Sequence, residues 1–216
     1  MASGRGTVAR VSGVQLRMIG GRKLLSPQGQ GTRPTTARVR EALMNILASE
    51  LKDAHWLDLY SGSGVMGCEA IERGAARVWA VEKNARIANV CRQNLELIVG
   101  SQQDPVEVRV FQKDLMPWLE AGRPQGVEPF TLIYIDPPYA AGRYESTLDR
   151  VIKKEWISAD GLAICEYRSG QRLEAPANWS EVDRRRYGTS SLLFLNPQEH
   201  CRGDTGSRQP QKDQEG

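Results

Sequence analysis

The 216-residue sequence reads as an α/β protein built on an open, mostly parallel seven-stranded sheet that ends in an antiparallel hairpin. Two observations predict this. From residue 55 onward, short apolar runs of strand length alternate with longer helical patterns, and such alternation means parallel strands joined by right-handed crossovers. The last two runs, 181–187 and 190–195, are joined by Gly188-Thr189 alone, which is too short for a crossover, so they pair antiparallel. The length suits one domain with a substantial core, and no internal repeat interrupts it.

Each element has its own justification. Residues 1–13 read as a flexible basic N-terminus, and Val14–Ile19, the Gly20-Gly21 turn and Arg22–Leu25 as a small hairpin. After a loop at 27–31, Thr36 is placed to cap a helix whose apolar stripe Val39, Leu43, Ile46 and Leu47 recurs at helical spacing. Strands are predicted at 55–60, 77–82, 106–111, 130–135 and 161–166. Helices fit between them at 66–73, 85–98, 114–120 and 144–156, with Gly74 and Gly100 as C-terminal stops. The domain is expected to span 14–197, with the hairpin and first helix in 14–50 and the sheet in 51–197. Residues 198–216 are almost all polar, with none of Ala, Val, Leu, Ile, Met, Phe, Tyr or Trp, and are expected to be a disordered polar tail.

Composition narrows the class. No apolar stretch approaches a membrane span, and the N-terminal region lacks the apolar segment of a secretory signal, so a cytoplasmic protein is expected. The four cysteines, at 68, 91, 165 and 201, show no C-x-x-C spacing, and there are two histidines; neither a metal site nor a disulfide framework is indicated. Net charge is +3, unevenly placed. Residues 1–40 carry Arg5, Arg10, Arg17, Arg22, Lys23, Arg33, Arg38 and Arg40 with no Asp or Glu, leaving the rest net acidic. That asymmetry points to an arm that contacts a polyanion, a solvated basic tail being the alternative.

Chemistry concentrates at the ends of the first four strands. Gly62-Ser63-Gly64-Val65-Met66-Gly67 satisfies G-x-G-x-x-G, and Glu82 lies at the end of the second strand, as in a dinucleotide fingerprint. Asp58 argues otherwise. A carboxylate ahead of the glycine loop repels a pyrophosphate and attracts the ammonium and sulfonium region of S-adenosylmethionine (SAM). Glu82 can accept both ribose hydroxyls, and Asp114 the adenine amine with Leu115 beside the ring. Each acid also has an ordinary role open to it: strand-end cap, solvated terminus, helix N-cap. The fourth strand ends in Asp136-Pro137-Pro138-Tyr139. Prolines supply no N–H, so the carbonyls of this turn and the Asp136 carboxylate form acceptors for an exocyclic amine, while Tyr139 offers a stacking face.

The segments D-L-Y-S-G-S-G, V-E-K-N and D-P-P-Y, in that order, resemble the class I SAM-dependent methyltransferases, Rossmann-like enzymes that modify exocyclic amines. Thr32-Arg33-Pro34-Thr35-Thr36-Ala37-Arg38-Val39-Arg40-Glu41 is similar to the RsmD-type enzymes, which methylate guanine N2 in bacterial 16S ribosomal RNA; the likeness covers roughly 14–195. The resemblance implies that Arg33, Pro34 and Thr35 fold over the methionine end of SAM. It implies further cofactor contacts from Asp58, Tyr60, Ser61, Gly62 and Gly64, and from Glu82, Lys83, Asp114, Leu115 and Asp136. Asp136, Pro137, Pro138 and Tyr139 would be catalytic, with Tyr139, Arg22, Lys23, Arg38 and Arg40 toward the ribosomal RNA. The basic hairpin is shorter and less cationic than is usual for that family. Adenine-N6 methylation, a noncatalytic SAM- or RNA-binding module, and a dinucleotide oxidoreductase are the rival readings.

Overall fold

The computed structural model describes residues 15–27, 36–138 and 143–198. In chain order the elements are α1 (Ala37–Ile46), β1 (His55–Leu59), α2 (Val65–Glu72), β2 (Arg77–Glu82), α3 (Ala85–Val99) and β3 (Glu107–Gln112), then α4 (Leu115–Glu120), β4 (Phe130–Ile135), α5 (Arg143–Lys153), β5 (Ile157–Arg168), β6 (Trp179–Tyr187) and β7 (Ser190–Pro197). Helix starts follow side-chain capping. Thr36 accepts the Val39 N–H, Asn84 those of Arg86 and Ile87, and Asp114 that of Met116, each satisfying an amide that has no intrahelical partner. Gly74, at φ +94°, turns the chain out of α2 in a conformation costly for any residue with a Cβ.

The seven strands lie in the order β3-β2-β1-β4-β5-β7-β6. All neighbours are parallel from β3 through β5, and β7 is antiparallel to both β5 and β6. Side chains alternate across the sheet and build two cores. Trp56, Tyr134, Ile164 and Phe194 pack with α1, α2 and α3, and Met18 and Leu24 of the N-terminal segment join them. On the opposite face Leu57, Trp79, Phe130 and Leu193 pack with α4 and α5. Leaving β1, the chain builds outward through β2 and β3 and then returns to place β4 on the other side of β1. This reversal opens a crevice beyond the carboxyl ends of β1 and β4. Among the described residues no helix is long and apolar enough to cross a membrane.

Two local expectations change. The N-terminal hairpin is a minimal ribbon: one bridge, Arg17 to Lys23, flanked by the Met18 N–H to Arg22 carbonyl and Leu24 N–H to Leu16 carbonyl bonds, both 2.9 Å. Val14 lies outside the described residues. Farther on, the helix expected to reach 156 stops at Lys153, and β5 begins at Ile157, four residues before the predicted strand. Ser158-Ala159-Asp160-Gly161 has turn composition, but β4 captures the residues just ahead of it: the Phe130 N–H donates to the Trp156 carbonyl at 2.8 Å and Phe130 pairs with Ile157. The register shifts before Leu132, and Gly161 permits it, since a Cβ there would stand 2.5 Å from Ile157 Cγ1. The described residues run to Gln198, whose N–H donates to the Asn178 carbonyl at 3.0 Å; the rest of the expected tail and residues 1–13 lie outside the described residues.

Candidate active site

The glycine loop Tyr60-Ser61-Gly62-Ser63-Gly64 leaves β1 at the switch point. Tyr60, Gly62 and Gly64 all have positive φ, of 63°, 53° and 75°, so the loop turns sharply enough to start α2 at once. Open space surrounds the position where a Cβ on Gly62 would stand. At Gly64 a Cβ would meet Cys91 Sγ at 2.6 Å, and at Gly67 Val78 Cγ1 at 2.9 Å, which is how the glycines let α2 seat against β2 and α3. The loop is tied from beneath: the Ser61 N–H donates to the Val81 carbonyl at 3.0 Å, and Asn94 Nδ2 to the Ser63 carbonyl at 2.9 Å.

Asp58 sits under that loop, 1% exposed. Gly64 has no side chain with which to cap α2, and the Asp58 carboxyl accepts the Gly67 N–H instead. Burial raises the Asp58 pKa to about 8, the Gly67 bond opposes this, and the negative charge of Glu82 adds to the rise. Oδ2 of Asp58 has no hydrogen-bond partner. A buried carboxyl oxygen in that condition is costly by itself and is suited to a cationic ligand. Glu82, half-buried at the end of β2, accepts the Gly62 N–H at 3.2 Å through one oxygen and the Asn84 N–H at 2.7 Å through the other. Each oxygen retains a second lone pair, enough for two vicinal hydroxyls.

Asp114 caps α4 and pairs with Lys83 at 2.6 Å, both side chains exposed, and the lysine holds the carboxyl below the usual carboxylate range. Leu115 beside it is buried. At the end of β4, Asp136 is half-buried, Pro137 buried and Pro138 exposed. Residues 139–142, with Tyr139, lie outside the described residues, as do 28–35 with Arg33, Pro34 and Thr35.

Behind the Asp136 turn stands a buried group that sequence reasoning missed. The Tyr134 hydroxyl donates to the Glu166 carboxylate, and the Tyr144 hydroxyl to the Glu166 backbone carbonyl at 2.6 Å. Tyr144 is held above the usual phenol range by burial and by the charge of Asp136. A polar alternation at the end of β5 was the available signal. Asn94 was missed too; fully buried, it also bonds the Leu25 N–H and carbonyl at 2.8 and 3.0 Å, joining the N-terminal ribbon to the glycine loop. Its position three after Cys91 and four before Ile98 puts an amide on the inward stripe of α3.

One substrate residue is corrected. Arg40 does not face outward; it is 4% exposed, its Nη2 donates to the Arg17 carbonyl at 2.6 Å, and its Nε lies 3.9 Å from Glu69. Positions 40, 43, 44 and 47 form one helical stripe, so the fold that buries Leu43 and Met44 buries Arg40 with them. Glu69 secures the ribbon as well, accepting the Ile19 N–H at 2.7 Å and an Arg73 N–H at 2.8 Å. Arg22, Lys23 and Arg38 are exposed; Arg22 donates to Ser101 Oγ at 2.5 Å.

Known proteins resemble this chain in sequence and fold. The profile of the family described as Conserved hypothetical protein 95 matches residues 13–196. Ribosomal RNA small subunit methyltransferase D of Escherichia coli (strain K12) is 34% identical over 171 residues, 77% of this chain and 82% of that protein. The protein of the same name from Haemophilus influenzae is 29% identical over 82% of this chain and 89% of its own length. The solved structure of yhhF from Escherichia coli superposes with a TM-score of 0.71 at 31% identity, covering 85% of this chain and 98% of that one.

Proposed function

The chain belongs to the Conserved hypothetical protein 95 family, and on that footing we propose that it is a SAM-dependent methyltransferase acting on the N2 amine of a guanine in small-subunit ribosomal RNA. The relatives named as methyltransferases of that RNA support the reaction class and the substrate. The observation that carries the reading is the meeting of Asp58, Glu82 and the Asp136-Pro137 turn at one sheet edge, around the switch point of β1 and β4.

The residues present fit SAM. The unpartnered buried oxygen of Asp58 would receive cationic charge, the remaining lone pairs of Glu82 the ribose hydroxyls, and the open side of Gly62 close passage of the ligand. Bound there, SAM supplies an electrophilic methyl group on a sulfonium. Asp114 and Leu115 would flank the adenine, with Lys83 paired to Asp114, and Arg33, Pro34 and Thr35 would cover the methionine end.

The amine is the difficult partner, because its lone pair is delocalised into the guanine ring. The Asp136 carboxylate and the Pro137 carbonyl accept its two N–H bonds and turn the lone pair out of the ring plane, toward the methyl. Orientation and acceptors of this kind lower a barrier by several kcal/mol. Once alkylated, the nitrogen is strongly acidic, and Asp136 Oδ takes its proton. Tyr139 supplies the surface on which the unstacked base rests. The test is transfer of tritium from methyl-labelled SAM to small-subunit ribosomal RNA, followed by nucleoside analysis. Label in N2-methylguanosine is expected; label in N6-methyladenosine, or none, overturns the assignment.

A further inference from the structure

The carboxyl edge of the sheet continues past the amine site to β6, and there it becomes cationic. β6 and β5 both pair antiparallel with β7, so they run in the same direction. Arg186 and Tyr187 stand opposite Ser191 and Ser190, the residues that on their other side pair with Tyr167 and Arg168. Because Cys165 pairs with Ile135, the last residue of β4, this end of β6 lies on the same edge as Asp136. Arg172, in the turn after β5, adds a further cation.

Tyr167, Gln171, Arg172, Arg184, Arg186 and Ser191 line a cleft of about 390 Å³ at this corner. Its hydroxyl, amide and guanidinium groups are rich in donors. Arg184 forms a fixed wall: it pairs with Glu181 at 2.7 Å and donates to the Tyr167 hydroxyl at 2.7 Å and the Leu173 carbonyl at 2.9 Å. Arg185 pairs with Asp183, and Arg172 with Glu174. Arg168 and Arg186 are different. Both are exposed, and among the described residues neither has a carboxylate within ion-pair distance; Arg186 reaches only the Gly188 carbonyl, at 3.5 Å. Five arginines against three acids leave residues 168–187 net positive.

We propose that this corner, with Arg186 lining the cleft and Arg168 at the end of β5 on the other face of the sheet, is a phosphate-contact surface for the RNA; the inference rests on the function proposed above. The N-terminal ribbon is fastened toward the β3 side of the sheet, to Asn94 of α3 and to Ser101 just past the C-terminal end of that helix. β6 is the opposite edge. On the carboxyl edge of the sheet β6 lies three strands from β4, so an RNA strand held at this corner is led toward the amine site. Fixed phosphate contacts set register and orientation while the pocket selects the base.

The test compares wild type with the Arg168→Ala/Arg186→Ala double variant in binding deproteinised small-subunit ribosomal RNA over a range of salt. Removing one cation from a phosphate lowers the log–log slope by roughly 0.7 to 0.9, so the double variant is expected to be shallower by roughly 1.5 and several-fold weaker at low salt. SAM affinity by calorimetry stays unchanged, and Arg168→Lys/Arg186→Lys restores most of the slope. Equal slopes and affinities for wild type and the alanine variant overturn the inference. So does a variant that self-associates yet binds RNA as the wild type does, which would assign these cations to keeping the edge strand from pairing with another copy. Failure of the wild type to transfer label to RNA is a separate result, and it would remove the functional reading itself.

Discussion

Asp58 does two jobs that pull against each other. As a buried acid of pKa about 8 it is mostly protonated at pH 7, whereas a cationic ligand favours its ionised form. SAM binding below pH 8 is therefore expected to release a proton, and affinity should rise with pH up to about 8. Calorimetry in buffers of different ionisation enthalpy measures that release directly. Stability moves the opposite way. The native state keeps a proton that the unfolded chain loses near pH 4, so this contribution to stability is complete below pH 4 and is lost as pH rises to about 8. Asp58→Asn removes that dependence: between pH 4 and pH 9 its stability relative to wild type should improve by on the order of 2–5 kcal/mol in urea unfolding, while SAM binding is lost. On the proposed function, Asp136 would belong to the chemical step instead. Asp136→Ala should slow methyl transfer by on the order of 100-fold with SAM affinity little altered, as when a transition-state hydrogen-bond partner is removed.

At the level of elements, the glycine loop and α1 are held by side chains from elsewhere in the chain. Glu82 braces the Gly62 amide, and in the proposed cofactor site its remaining lone pairs would receive SAM, so Glu82→Ala should weaken SAM by roughly 1.5–3 kcal/mol for each charge-assisted bond removed. Gly67→Ala puts a methyl 2.9 Å from Val78 and 3.1 Å from Leu95 Cδ2; α2 must shift, and about 1–3 kcal/mol of stability should go in denaturant titration. Arg40 joins α1 to α2 and to the ribbon through Glu69 and the Arg17 carbonyl. Arg40→Ala should therefore act on folding, with a loss on the order of 3 kcal/mol, rather than on the salt dependence of RNA binding. An unchanged melting temperature with a flattened salt slope would return Arg40 to the RNA surface.

For the whole molecule, the uneven charge of the chain is converted into position. Eight cations precede residue 41, and the fold puts Arg22 and Lys23 on an exposed ribbon anchored to α3 while it removes Arg40 to the interior. Arg22→Ala/Lys23→Ala should weaken RNA binding and flatten its salt dependence without changing SAM affinity. Identical salt slopes in RNA titrations would mean that the ribbon is merely solvated.

Features that depend on near neighbours in the chain are legible in the sequence by itself. Strand and helix alternation, the caps at Thr36 and Asp114, the short Gly188-Thr189 connection and the D-P-P turn all follow from residues a few positions apart, and they mark the first four strand ends as the candidate site. The tertiary structure alone decided that β4 returns beside β1, that β5 begins early along Phe130, that Asn94 links the ribbon to the glycine loop, and that Glu166 stands behind the Asp136 turn. It also decided the state of its charges: Asp58 is raised because the loop and α2 close over it, and Arg40 is buried because the ribbon and Glu69 cover it. Local preferences act through backbone dihedrals and adjacent hydrogen bonds, whereas desolvation and strand order depend on which distant segments pack together, and that is set only when the chain has folded.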